Sequence, residues 1–289
     1  MTVHDLYSGL AMKIFGLPMS LSQKILYAVH IVFLITINIA ASTEANGGEE
    51  YGDVTGRIIL QGEIPKLRPL LGPGDNNKAR DAALCGALDI PNDSLVIHRK
   101  NRGIQNVLVY LRKAPKEAIH PVIEKRKNQM LKVSLKNCRF HPHTMVVRND
   151  QEVVIEQGGA TGHNVHTYPI FNRGFITLVR PGKPGLPIKL QPFKLKEPLP
   201  MQVKCDIHAW MQAYWLVLDH PYAATTDANG RFTIDKLPEG EHSLTIWHER
   251  VGYIEKAYKI DVSKDKRVDL VVYEVPLDRF EIRDDELRE

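Results

Sequence analysis

The sequence predicts an all-β fold built from two sandwiches. Short stretches of alternating polarity recur beyond residue 50, turn formers separate them, and no long helical period appears. In order, the alternating stretches are 54–60, 104–111, 131–135, 144–147, 152–156 and 201–205, then 214–218, 231–234, 242–247, 257–262 and 268–272. Gly72-Pro73-Gly74, Asp227-Ala228-Asn229-Gly230 and Pro238-Glu239-Gly240 punctuate them. Glycine and asparagine there tolerate positive φ, and proline fixes φ while removing a donor. Residues 115–127 are the exception, a charged stretch with room for one short helix.

Length and composition bound the rest. The chain has 289 residues, enough for two ordinary domains, and is 43% hydrophobic and 25% charged, as in globular proteins. Its formal charge is +4, one unit of which lies in residues 1–42 (Lys13 and Lys24 against Asp5). That is too weak and dispersed for nucleic acid, and no basic-aromatic ladder appears. Residues 25–41 form the one long apolar run, with Lys24 before it and Ala40 and Ser42 at the −3 and −1 places of a signal-peptidase site. A cleaved signal within 1–45 is the expectation, and an uncleaved anchor tethering the chain to a membrane through 25–41 is the alternative. Met12 or Met19 would serve as internal starts. Either reading puts the remaining chain in the periplasm or another extracytoplasmic space.

The chemistry concentrates in Cys205-Asp206-Ile207-His208-Ala209-Trp210-Met211, between the alternating stretches 201–205 and 214–218. A redox copper centre needs donors that suit both oxidation states. One thiolate and two imidazoles in a plane, with a weak axial thioether, meet that need. The loop supplies one Cys, one His and one Met within seven residues. The fourth donor must come from elsewhere, and His163, expected at the end of another strand, is the candidate. His166 is the alternative, three residues on and so on the opposite side of an extended chain. His141 and His143 flank Pro142 and read as rim residues, with a secondary metal contact left open. Zinc is the rival metal, but methionine is a poor zinc ligand.

The Cys-x2-His-x2-Met loop resembles that of the type 1 blue copper proteins, the cupredoxins, and within them the amicyanin-like group. Gly162-His163-Asn164-Val165-His166 is similar to the His-Asn-Val-His of that group, and Phe140-x-Pro142-x3-Val146 to the strand before it. The resemblance implies a Greek-key sandwich holding one type 1 copper through His163, Cys205, His208 and Met211, with Asn164 bracing the loop. It also implies an exposed His208 edge as electron port, with Trp210 beside it in an apolar docking patch; Trp210 as ordinary core is the alternative. Where many cupredoxins carry Gly-x-Tyr-x-Tyr/Phe before the cysteine, this chain has Pro200-Met201-Gln202-Val203-Lys204. Residues 54–60 and 103–112 resemble the opening of a carboxypeptidase regulatory-like, transthyretin-like sandwich, whose continuation appears only at 224–247. Over about 51–275 the chain resembles exported methylamine-utilisation-like proteins, through Thr226-Asp227, Gly230, Leu237-Pro238, Gly240 and Trp247-His248.

These resemblances give an expected organisation. A smaller sandwich spans 51–115 and 219–276, a cupredoxin domain at 116–218 is inserted in it, and 277–289 form a charged tail; domains in simple series are the alternative. With Cys205 given to the metal, Cys85 and Cys138 are expected to form a disulfide, two buried thiols being the alternative. No His-Cys-His run, nucleophile with its base, or nucleotide loop is present. The chain therefore reads as a carrier and not an enzyme, exchanging electrons with a redox partner such as a c-type cytochrome or a dehydrogenase. A copper storage or delivery protein, and an envelope interaction module with a metal-free fold, are the alternatives.

Overall fold

A computed structural model of the chain describes Ser20 and residues 51–288, apart from 74–79, 117–118, 157–158, 183–184, 264–266 and 270–271. The expected signal or anchor at 1–45 therefore lies outside the described residues, Ser20 aside. In chain order the elements are β1 (Tyr51–Gln61), helix α1 (Ala82–Gly86), β2 (Leu108–Leu111), helix α2 (Pro121–Glu124), β3 (Leu131–Lys136), β4 (Arg139–His141), β5 (Thr144–Arg148) and β6 (Val153–Glu156). Then come β7 (His163–Tyr168), β8 (Ile176–Val179), β9 (Ile188–Lys189), β10 (Met201–Lys204), β11 (Gln212–Leu218), β12 (Ala223–Thr225), β13 (Arg231–Pro238), β14 (Gly240–His248), β15 (Gly252–Val262), β16 (Arg267–Asp269) and β17 (Tyr273–Pro276). The fold is all-β. The short helix expected within 115–127 is α2, started by Pro121 and capped by His120 Nδ1, which accepts from Val122 N–H at 3.2 Å.

Two sheets enclose the first core. One has strand order β5-β11-β10-β7-β8 and the other β4-β3-β6-β9. Alternation does the sorting: Met201 and Val203 of β10, Val133 and Leu135 of β3, and Ala213, Trp215 and Val217 of β11 all point into it. The second core lies between β12-β2-β14-β15 and a sheet in which β1 pairs with β13, β16 and β17. Strands from 51–111 thus pair with strands from 223–276, while those between 131 and 218 pair among themselves.

β11 buries both of its faces. Its other residues, Leu216 and Leu218, meet Leu108 and Tyr110 of β2 and Trp247 of β14 in a third cluster that joins the two sandwiches. This is why residues 214–218, expected to alternate, are apolar at nearly every position. A hydrogen bond between His143 Nε2 and the Glu249 carboxylate crosses the same junction. At the far end of the second sandwich, Gly230 (φ 73°) sits where a Cβ would come within 2.3 Å of the Ile58 carbonyl.

Two expected boundaries differ from the cores. Leu71, Ala82, Cys85 and Ile90 fall within the expected bounds of the smaller sandwich, yet they pack into the first core. The Cys85–Cys138 disulfide fixes them there. The expected charged tail at 277–289 is anchored at two of its described residues: Phe280 is buried in the second core, and Glu286 accepts from Arg250 at 2.8 Å. One aromatic anchor and one half-buried ion pair hold it against the second sandwich.

Candidate metal centre

Three donors converge at one end of the first sandwich. β7 and β10 are antiparallel neighbours, with His166 opposite Lys204. This register brings the start of β7 alongside the loop that follows β10. His163, expected at a strand end, is the first residue of β7. Cys205 to Met211 connect β10 to β11, and the loop is closed by its own backbone. Cys205 N–H donates to the Met211 carbonyl at 3.1 Å, and Met211 N–H to the His208 carbonyl at 3.0 Å.

His163 Nδ1 lies 3.0 Å from His208 Nδ1, and Cys205 Sγ lies 3.7 Å from His208 Nδ1. All three donor atoms fall within 4.8 Å of one another, and His163, Cys205 and His208 are 2%, 2% and 0% exposed. Donors that share a first-row ion each sit about 2.0–2.3 Å from it, which spaces them about 3–4 Å apart. The donor set therefore fits a metal. Met211 is also buried, in the same core as Cys205. Burial, reinforced by the positive charge His208 would carry, pushes the His163 imidazole down to about 4. His208 is lowered too, by burial, against the opposing influence of Asp81. Both rings are thus neutral at pH 7, so each has one nitrogen lone pair to offer a metal.

Asn164 holds the loop from β7. Its backbone N–H donates to Cys205 Sγ at 3.4 Å, and its side-chain Oδ1 accepts the Asp206 N–H at 2.7 Å. Its Nδ2 donates to Asp206 Oδ2 at 2.6 Å. That bond is the main reason the Asp206 carboxyl sits below the usual carboxylate range, with His166 and Tyr168 adding to it. His166 Nδ1 is 3.0 Å from Asp206 Oδ2, directed away from the donors. His141 and His143 lie on either side of the turn from β4 to β5 and not on one strand. His141 meets the Lys136 carbonyl and His143 meets Glu249, so neither joins the donor cluster.

The exposed His208 edge is not there. The ring is fully buried, and its Nε2 lies 3.3 Å from Asp81 Oδ2. Asp81 also accepts the Thr161 hydroxyl proton at 2.5 Å, the foremost reason its carboxyl is held low. Trp210 is 9% exposed and packs within the first core, its ring centroid 5.0 Å from that of His208. It is not an exposed docking patch, and Leu70, Ile90 and Pro91 line a small cleft beside it. Exposed apolar side chains lie instead on β8, where Ile176 and Leu178 stand opposite His166 and Asn164. A cleft of about 730 Å³ reaches His163 between Leu84, Leu88 and Leu135.

Sequence reasoning missed Asp81, Thr161, Asp206 and Tyr168. Asp206 sits inside the ligand motif and was legible as a polar residue beside the cysteine. Asp81 is 127 residues from His208 and carries no local signature.

No family model matches the chain, and no curated protein matches it. Solved structures do match. A Cu-containing nitrite reductase from Thermus scotoductus SA-01 is 14% identical over 38% of this chain and 25% of its own, at a TM-score of 0.27. A chain from a heme-copper terminal oxidase dimer is 12% identical over 68% of this chain and 99% of its own, at a TM-score of 0.25. The chain thus spans about a quarter of the reductase's length. Likenesses this slight carry no functional argument, and the reading below rests on the donor cluster.

Proposed function

We propose that this chain is a mononuclear copper protein that passes single electrons outside the cytoplasm. The observation that carries this reading is the buried cluster of two imidazole Nδ1 atoms and one thiol, 3.0 and 3.7 Å apart, on a loop with Met211 three residues beyond His208. Copper held by His163, Cys205, His208 and Met211 would supply a one-electron couple. The rest is done by the chain. Two neutral imidazoles and a soft sulfur serve both oxidation states without changing partners. The Asn164 N–H directed at Cys205 Sγ tempers the thiolate charge. The loop's backbone bonds and the Asn164 brace fix the donors, so little has to move as the electron comes and goes. Four protein donors would leave no open position for a substrate, which supports a carrier over an enzyme.

The disulfide supports an oxidising compartment. A redox protein such as a c-type cytochrome or a dehydrogenase is the partner this reading calls for. A second reading, copper storage or delivery, is favoured by the burial of His208, since a sealed ligand suits holding as well as exchange. Purified protein given Cu(II) should develop an intense thiolate-to-copper band in the red, and Cys205→Ser should abolish it. A colourless protein sinks the copper reading. Reversible voltammetry supports the carrier, whereas a coloured but electrochemically silent protein would favour storage.

A further inference from the structure

We propose that Asp81 is the positioning residue of this site: its carboxylate accepts the Nε2 proton of His208, turns Nδ1 toward Cys205 and His163, and sets a negative charge against that ligand which favours the oxidised metal. The inference rests on the copper reading of the same site and assigns it a residue that no motif contains.

The placement of Asp81 is unusual in a specific way. It occupies the N-cap position of α1, where an aspartate ordinarily accepts a hydrogen bond from the helix's own first amides. Here it makes no such bond and stands in the left-handed region, at φ 59° and ψ 13°. That conformation costs a residue other than glycine some energy, and aspartate tolerates it better than most. Its carboxylate turns away from the helix to Thr161 Oγ1 at 2.5 Å and His208 Nε2 at 3.3 Å. Thr161 lies two residues before His163, so one carboxylate contacts the segments of both imidazole donors.

The segment that carries Asp81 is held down. The Cys85–Cys138 disulfide ties α1 to the turn between β3 and β4. At its base, Ile90 N–H donates to the Leu71 carbonyl at 2.7 Å, and Leu70 N–H to the Ile90 carbonyl at 2.8 Å. Gly86 packs so closely on Gly72 that a Cβ would come within 2.8 Å of its carbonyl oxygen. Asp81 is therefore delivered to His208 from the fastened segment 81–90.

The chemistry follows from the tautomer. An imidazole that gives its Nε2 proton to a carboxylate must keep Nδ1 unprotonated, as a metal ligand needs, and becomes the more basic for it. A more basic ligand and a nearby anion both stabilise the higher charge on the metal. The Arg80 carbonyl also faces this ring, and is the competing acceptor.

The test compares the full-length wild type with Asp81→Asn, Asp81→Ala and Asp89→Asn. Asp89 lies on the same segment, pairs with Arg288 and is exposed, so its replacement removes a charge without touching the imidazole. Ring-nitrogen chemical shifts of His208 in metal-free protein report the tautomer, and voltammetry of the copper form reports the potential. The wild type should hold a single Nε2-protonated form. Asp81→Ala should mix the tautomers. Both Asp81 variants should shift the Cu(II)/Cu(I) balance at least tenfold toward Cu(I), about 59 mV for a one-electron couple. Asp89→Asn should do neither. An intact tautomer and unmoved potential in Asp81→Ala would assign the hold to the Arg80 carbonyl and overturn the proposal, as would an equal shift in Asp89→Asn. A wild type without the copper band fails the copper reading alone, because the metal-free tautomer still decides whether Asp81 positions His208.

Discussion

Cutting the Cys85–Cys138 link measures how segment 81–90, the strap that carries Asp81, is held. The crosslink spans 53 residues. Closing a loop of that length removes about 14 cal/mol/K of entropy from the unfolded chain, about 4 kcal/mol at room temperature. Cys85→Ala/Cys138→Ala, or chemical reduction of the wild type, should lose that much in denaturant titration, with little change in the native fold. The loss should also be local. The backbone bonds at Leu70, Leu71 and Ile90 remain, so the base of the strap stays closed while α1 comes free. Amide exchange should therefore quicken at Cys85, Ala87 and Leu88, whose N–H groups are bonded only within the strap, to Asp81, Ala83 and Cys85. It should stay slow in β10 and β11. A stability loss under about 1 kcal/mol, with exchange in α1 unchanged, would refute the reasoning: the apolar seats of Ala82 and Leu71 would then hold the strap unaided.

Two further outcomes follow from buried groups. Burial holds His248 down to about 3, helped by the charges of His143 and Arg250, and holds His220 down to about 4 against the pull of Asp219. Because the folded pKa values are depressed, the unfolded chain takes up protons first. Stability is full above pH 6.5 and falls as pH drops from 6.5 toward 4, each ring contributing a slope of about 1.4 kcal/mol per pH unit. His248→Gln should remove one such share from the slope, measured by urea titration at pH 7, 6 and 5; an unchanged slope would mean the ring is protonated in the fold. Asn164→Ala deletes two side-chain bonds to Asp206, one of them to a charged carboxylate, and should cost about 2–3 kcal/mol. It should also broaden the copper band, since the backbone N–H to Cys205 survives while the loop loosens; a sharp, unshifted band would deny Asn164 its bracing role.

The parts of this fold that were legible in the sequence are those where one segment carries its own pattern. β10 shows its alternation as Met201-Gln202-Val203-Lys204, and the loop after it displays three candidate donors in seven residues. A strand's partner is harder to read, and a strap's destination harder still. α1 is five residues long, too short for a helical period to show, and its Ala-Ala-Leu-Cys-Gly gives no hint of which core it enters. Its place is settled by a sulfur bridge to Cys138 and by Leu71 and Ile90 finding room beside β3 and β4. Resemblance pointed the other way at this spot, toward a bare His208 edge. The difference lies in Leu71, Ala82, Cys85 and Ile90, which belong by chain order to one sandwich and by packing to the other. An aspartate that leaves its own helix uncapped to reach an imidazole 127 residues away is invisible to any local rule. It becomes legible only when each buried polar atom is asked for its partner, because Nε2 of a fully buried histidine must give its proton to something.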